Sequence, residues 1–223
     1  MDFVEIARAE SERGELVLRE RREAESSVLE LRANGIFVMD TQETSSERAL
    51  ATVALSTVAS PERVLVGGLG LGFTMNEVLA DDRVRDCTVV EIDPALVGWM
   101  SEGVVPHGPD MLADSRIDVE IADVADVLEQ ASESSYDLVL LDVDNGPGYL
   151  VHESNGPLYR PRFLSEARAA LRPGGALAVW SAAEEPELES SLAEVFDDVV
   201  PHPLEVNLQG HRESYWLYEA RCA

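Results

Sequence analysis

The stretch RVLVGGLGLGFTMNEVL, residues 63–79, carries an apolar strand into three alternating glycines and then into a helical pattern. Glycine loses more backbone freedom on folding than any other residue, so Gly68, Gly70 and Gly72 at one corner require a cause. Packing alone does not need three. Their arrangement points to a ligand pressed against bare backbone, with no Cβ in the way. Thr74 and Glu77 have the spacing of a capping box that would open the helix.

Outward from this corner, strands and helices alternate. CTVVEID (87–93), RIDVEIAD (116–123), YDLVLLDVD (136–144) and GALAVWSAA (175–183) read as short strands. TMNEVLADD (74–82), ALVGWMSEG (95–103), VADVLEQAS (124–132), FLSEARAAL (163–171) and ELESSLAEVF (187–196) read as helices. The pattern predicts an α/β, Rossmann-like, mostly parallel doubly wound sheet covered on both faces. VVPHPLEVN (199–207) and SYWLYEARC (214–222) are expected to pair antiparallel at its edge. Upstream, GELVLRERR (14–22), SSVLELRAN (26–34) and GIFVMDTQ (35–42) read as extended pieces, with Asn34-Gly35 as a hairpin turn. A helix over SSERALATVALSTV (45–58) ends before Pro61. The expected organisation is a small N-terminal β-hairpin unit with a linking helix over 1–60, followed by a Rossmann-like domain over 61–223.

Charge narrows the partners. The chain carries 43 acidic against 17 basic residues, net −26, which repels phosphate backbones and anionic lipid. No nucleic-acid or membrane partner is expected. Such acidity suits a cationic small molecule, or simply solubility. Cys87 and Cys222 form neither a disulfide framework nor a metal spacing, and they fit a reducing cytoplasm. His107, His152, His202 and His211 stand apart and read as surface or loop residues, so no metal is expected. MDFVEIARAESERGE (1–15) is charged throughout, unlike a signal peptide. No apolar run approaches the ~18 residues that span a bilayer.

In open α/β sheets ligands bind beyond the carboxyl ends of the strands. Glu91 ends CTVVEID, 23 positions after Gly68, where a carboxylate can accept from both ribose hydroxyls of a nucleoside. Asp123 ends the next strand, where it can accept from an adenine amino group, cap the following helix, or do both. Asp142 follows the apolar run LVLL; a carboxylate there costs desolvation unless it binds something or is tied to loop amides. Asp144 and Asn145 lie on the loop behind it. The glycine spacing is G-x-G-x-G. A dinucleotide loop would need a third glycine at 73, which is Phe73. Together these features point to a nucleoside with a sulfonium tail, S-adenosylmethionine or a relative.

At this point the chain resembles the spermidine/spermine synthase family, the polyamine aminopropyltransferases. The similarity is carried by RVLVGGLGLGFTMNEVL, VVEIDPALV, YDLVLLDVDNGP and PLYRPRFLSEARAALRPGG. It implies the class I methyltransferase fold with a small N-terminal β unit. It further implies that Glu91 holds the ribose, Asp123 sits by the adenine and Asp142 faces the reacting amine. The family's hairpins often build dimers, so a homodimer is implied too.

Departures from the family pattern fall at the other half of the ligands. The family loop reads G-G-G-D-G-G, and its aspartate holds the ammonium of the aminopropyl donor; here that position is Leu71. The family's D-E-x-x-Y-H-E becomes Gln42-Glu43-Thr44-Ser45-Ser46-Glu47-Arg48, keeping only Glu43. Its D-S-S-D becomes Asp142-Val143-Asp144-Asn145, keeping the first acid and losing the last. The leading expectation is therefore a transferase that binds S-adenosylmethionine and moves a methyl group to a small-molecule amine or hydroxyl. Asp142 is its catalytic residue, and Gly68, Gly70, Gly72, Glu91 and Asp123 hold the donor. Asp144, Asn145 and Tyr159 are assigned to the acceptor, with Tyr159 as lid or core aromatic and Arg160 beside it. One alternative is aminopropyl transfer from decarboxylated S-adenosylmethionine, releasing methylthioadenosine, with Asp144 or another acid replacing the missing tail contact. The other is a non-catalytic nucleoside-binding subunit or sensor.

Overall fold

Val64, Leu65 and Val66 are fully buried, and the strand they build, β5, lies inside a seven-stranded sheet. The computed structural model describes residues 2–22 and 27–223. Ser26, first residue of the second expected extended piece, lies outside them. Sheet order is β10-β11-β9-β8-β5-β6-β7. β5 (Arg63–Gly67) runs parallel to β6 (Asp86–Glu91) on one side and β8 (Tyr136–Leu141) on the other. β7 (Ile117–Ile121) extends the parallel set beyond β6, and β9 (Leu171–Ser181) beyond β8. β10 (Asp198–Leu208) and β11 (His211–Arg221) close the edge as an antiparallel hairpin, as expected. The chain leaves β5 toward β6 and returns to β8 on its far side, so strand order reverses at the end of β5. That is where open α/β sheets form their binding crevice.

The helices between these strands are α2 (Phe73–Leu79), α3 (Pro94–Ser101), α4 (Gly108–Leu112), α5 (Val124–Gln130), α6 (Pro161–Ala170) and α7 (Pro186–Ala193), preceded by α1 (Ser45–Thr57). One apolar layer covers each face of the sheet. Leu50, Ala54, Met75 and Met100 belong to the first, and Leu128, Phe163, Leu164 and Leu192 to the second. At the opposite end from the crevice, buried Asp137 ties three strands together. Its carboxylate accepts from the amides of Glu62 (3.0 Å) and Arg63 (2.8 Å) and from Arg172 (3.0 Å). No helix among the described residues is long and apolar enough to cross a membrane.

The N-terminal segment forms a separate antiparallel sheet, β1 (Asp2–Ser11), β2 (Gly14–Arg22), β3 (Ser27–Ala33) and β4 (Ile36–Asp40), in that order. The Asn34-Gly35 turn is present, both residues having positive φ (52° and 76°). β1 is the strand the sequence pattern does not predict. It is an edge strand whose large apolar residues Phe3 and Ile6 are exposed, so it shows no clean buried alternation. Glu30, 1 % exposed, is held between Arg19 of the neighbouring β2 (2.5 Å) and Arg32, two residues along its own strand (2.7 Å). α4 and a 3-10 segment over Glu153–Tyr159 are also additions to the expected elements.

Candidate active site

All three glycines of the corner have positive φ, +92° at Gly68, +50° at Gly70 and +88° at Gly72. Their causes differ. A Cβ on Gly68 would lie 2.2 Å from the Asp142 carbonyl oxygen, and one on Gly70 would lie 2.8 Å from Met39 Sδ. Both residues line a cavity at the end of β5. Gly72 does not. It is the left-handed N-cap of α2, and a Cβ there would meet Met100 and Met111 at 2.9 Å. A Cβ at any of the three would meet the protein's own atoms, and only Gly68 and Gly70 also face the cavity, so Gly72 departs from the expectation that all three meet a ligand.

The capping box is also corrected. Because α2 starts at Phe73, Thr74 falls inside its first turn, where it cannot cap. Its hydroxyl instead donates to Asp142 Oδ2 at 2.5 Å, while Glu77 pairs with Arg48 at 3.0 Å. Leu71 is fully buried in the core. Its carbonyl accepts from His107 Nε2 at 2.8 Å, a contact that requires the proton on Nε2. His107, on the turn between α3 and α4, is therefore a half-buried brace of the glycine loop, its ring tilted against Phe73 with centroids 5.3 Å apart.

Three strand-end acids converge on the cavity: Glu91, Asp123 and Asp142. Glu91 is 7 % exposed; Oε2 accepts from the Leu69 amide and Oε1 from the Asp93 amide, each at 2.9 Å. Burial raises its pKa against the opposing effect of these amides. Each oxygen keeps a second lone pair for a ligand hydroxyl. Asp123 caps α5, accepting from the Ala125 amide at 2.9 Å, and still lines the cavity, so its two expected roles are geometrically compatible. Asp142 is half-buried, and burial raises its carboxyl pKa while the Thr74 hydrogen bond opposes that rise. The cavity roof comes from the N-terminal sheet through Leu16, Leu31 and Val38. Arg13, on the β1–β2 turn, reaches across to Asn155 Oδ1 at 3.1 Å.

The acceptor assignments fare unevenly. Asp144, at φ +61°, accepts from the amides of Asn145 (2.8 Å), Val151 (2.5 Å) and His152 (3.2 Å) and from Asn155 Nδ2 (2.8 Å). Four donors meet its carboxylate, so it organises the 144–155 loop, and it also lines the first cavity. Tyr159 takes the core side of its two expected alternatives: it is 3 % exposed, packs under this loop, donates to the Val143 carbonyl at 2.8 Å and lines neither cavity. Arg160 points outward to Glu187 at 3.6 Å, away from both cavities. Asn145 donates to the Phe37 carbonyl at 3.3 Å and lines a second cavity.

That second cavity is one the sequence does not foretell. Trp180, Tyr215, Trp216 and Tyr149 supply aromatic walls, with Glu213 and Glu184 beside them. Trp180 and Tyr215 meet edge to face, 4.9 Å between centroids. Val38 lines both cavities, and the 142–145 loop sends Asp142 to the first and Asn145 to the second. Near this seam, on α1, lies a further acid, Glu47, 8 % exposed. Burial first, then the Asp142 charge, raises its pKa.

Residues 43–201 match the spermine/spermidine synthase domain. The chain belongs to this family. It is 35% identical over 128 residues to a polyamine aminopropyltransferase of Oceanobacillus iheyensis, covering 56% of this chain and 24% of that protein. With a polyamine aminopropyltransferase of Prochlorococcus marinus it shares 34% over 146 residues, 66% of this chain and 49% of the other. A putrescine N-methyltransferase of Nicotiana tabacum is 32% identical over 123 residues, 54% of this chain and 30% of that one. The chain thus spans half or less of the length of these curated relatives. Spermidine synthase solved with the transition-state analogue AdoDATO superposes with a TM-score of 0.84 over 98% of this chain and 74% of that one. At 19% identity, that likeness concerns the fold, and it agrees with the α/β Rossmann-like class expected from the sequence.

Proposed function

We propose that this protein transfers a group from an adenosyl sulfonium donor to a cationic amine, with aminopropyl transfer from decarboxylated S-adenosylmethionine as the leading reaction. The observation that carries this reading is the pair of cavities sharing Val38 and the 142–145 loop, with Asp142 at the seam. Glu91 and Asp123 supply acceptors for a ribose and an adenine amino group, and Gly68 and Gly70 leave no Cβ against the donor. The second cavity, walled by aromatic rings with Glu184 and Glu213 against the single cation Arg212, suits an ammonium. Asp142 lies where it can take a proton from the attacking amine, and its raised pKa makes it a better base than an ordinary carboxylate. Transfer at a sulfonium is an in-line displacement, so the rest of the site positions the reactants.

Family membership and relatives named as aminopropyltransferases support this ranking over the methyl transfer that the sequence puts first. Methyl transfer remains the second reading because of Leu71: a buried leucine offers a donor ammonium neither charge nor acceptor. The likeness to a putrescine N-methyltransferase supports that reading too. Incubation with each donor in turn and putrescine separates the two. Aminopropyl transfer releases methylthioadenosine, methyl transfer releases S-adenosylhomocysteine, and release of neither across a panel of amines contradicts the proposal.

A further inference from the structure

A threonine inside a helix commonly returns its hydroxyl to a carbonyl of its own helix. Two in α1 do so, Thr52 to Arg48 at 3.0 Å and Thr57 to Ala54 at 2.8 Å. Thr74, in the first turn of α2 and 2 % exposed, does not. Its Oγ1 lies 2.5 Å from Asp142 Oδ2 and 3.3 Å from the Glu47 carbonyl oxygen on α1. A hydroxyl has one proton to donate, and the shorter contact, to a carboxylate, takes it. Among the described residues no other donor reaches the Asp142 carboxylate. The backbone beneath it is fixed separately. The Asp142 amide donates to the Gly67 carbonyl at 2.8 Å, and the Asp142 carbonyl oxygen fills the space where a Cβ on Gly68 would stand. Rotation of the Asp142 side chain is the freedom that remains, and the Thr74 hydroxyl restrains it.

The geometry points to Thr74 as a positioning residue: by holding Oδ2 of Asp142 it presents Oδ1, the oxygen without a protein donor, to the ammonium of the acceptor. The inference rests on the transfer reading above. Asp142 lines the first cavity, so a proton delivered there leaves the amine beside the donor. In that step the ammonium gives one proton to Oδ1 and becomes a neutral amine. Its lone pair forms the new N–C bond as the C–S bond breaks, with the C–S electrons passing to sulfur. The sulfonium becomes a thioether, the positive charge moves to nitrogen, and Asp142 returns its proton to solvent. Throughout, Oδ2 keeps the Thr74 hydrogen bond. The titratable groups that sense the Asp142 charge are Glu47 on α1 and Tyr159 beneath the loop. Both are unchanged by substitution at Thr74, so a moved Asp142 midpoint reports the hydroxyl.

The test compares the whole chain with Thr74→Val, which removes the hydroxyl at nearly constant volume, and Thr74→Ser, which keeps it. In Thr74→Val kcat should fall by about 10- to 100-fold, because the base is no longer aimed. Affinity for methylthioadenosine should change by less than about threefold, since Thr74 does not line the first cavity. The acid limb of the kcat/KM profile and the Asp142 carboxyl-carbon NMR midpoint should both rise by about half a pH unit or more, because the lost bond favoured the ionised carboxylate. Thr74→Ser should restore all three. In the unaltered protein the Thr74 hydroxyl proton should be seen by NMR and its shift should follow the Asp142 midpoint, which decides the matter if Thr74→Val fails to fold. A fall in kcat with the Asp142 midpoint unmoved, full activity in Thr74→Val, no rescue by Thr74→Ser, or a hydroxyl proton indifferent to Asp142 would each overturn the proposal. Absence of turnover in the unaltered protein would count against the transfer reading instead, and the titration would still decide whether Thr74 holds Asp142.

Discussion

Glu91, Asp123 and Asp142 are legible from sequence because a carboxylate directly after an apolar run can only fall at a strand end, and strand ends of one sheet face one crevice. Replacing Asp142 with asparagine is expected to lower kcat/KM by about 10²- to 10⁴-fold. Affinity for methylthioadenosine should change by less than about threefold, and single-turnover kinetics beside equilibrium binding checks the split. Glu47 is harder to read. Aligned to the family motif it looks like a lost position; only the three-dimensional packing of α1 shows that it is buried. One signal was available, since positions 47, 50, 51 and 54 lie on one helical face and the first is an acid. Its stability effect has a definite sign. The folded state holds the Glu47 proton more tightly than the unfolded chain does, so ionising it destabilises the fold. That penalty is absent below the unfolded value near 4.5 and complete once pH passes the raised folded value. Glu47→Gln should therefore be more stable than the unaltered ligand-free protein at pH 8, by at least about 1 kcal/mol. The gain should fade as pH falls to about 4.5. Thermal unfolding across this range measures it. The sequence does not reveal that the 144–155 loop turns back on the Asp144 carboxylate, nor which of the lid and core alternatives Tyr159 takes.

At the scale of elements, the parallel strands were readable as near-continuous apolar runs because both their faces are covered. β1, α4 and the 3-10 segment were not, since an exposed edge strand and two short turns have little buried surface to impose a period on the sequence. The strand starts depend on Asp137, which satisfies two backbone amides and Arg172 from one buried position. Asp137→Ala would strand all three donors. It is expected to cost about 2–4 kcal/mol in urea unfolding, with the midpoint falling and the slope unchanged. Since Asp137 lies at the opposite end of the sheet from the crevice, adenosyl affinity in the variant's native baseline should be retained.

Across the whole molecule, net −26 is compatible with a cationic acceptor, and the two cavities give that charge a local meaning: Glu91, Asp123 and Asp142 line the first, and Glu184 and Glu213, with Arg212, the second. The N-terminal sheet matters here because it roofs the first cavity and shares Val38 with the second, an arrangement no local pattern in residues 1–40 announces. The first cavity was therefore legible in outline, while its junction with the second emerged only from the packing of two sheets. The account depends most on Glu91 gripping the sugar of an adenosine-type ligand. Isothermal calorimetry of methylthioadenosine with the unaltered protein and with Glu91→Ala tests it, with near-UV circular dichroism confirming the variant's fold. Saturable binding that weakens by about 30-fold or more on substitution is the expected result; equal affinity in the two proteins, or no binding by either, would contradict it.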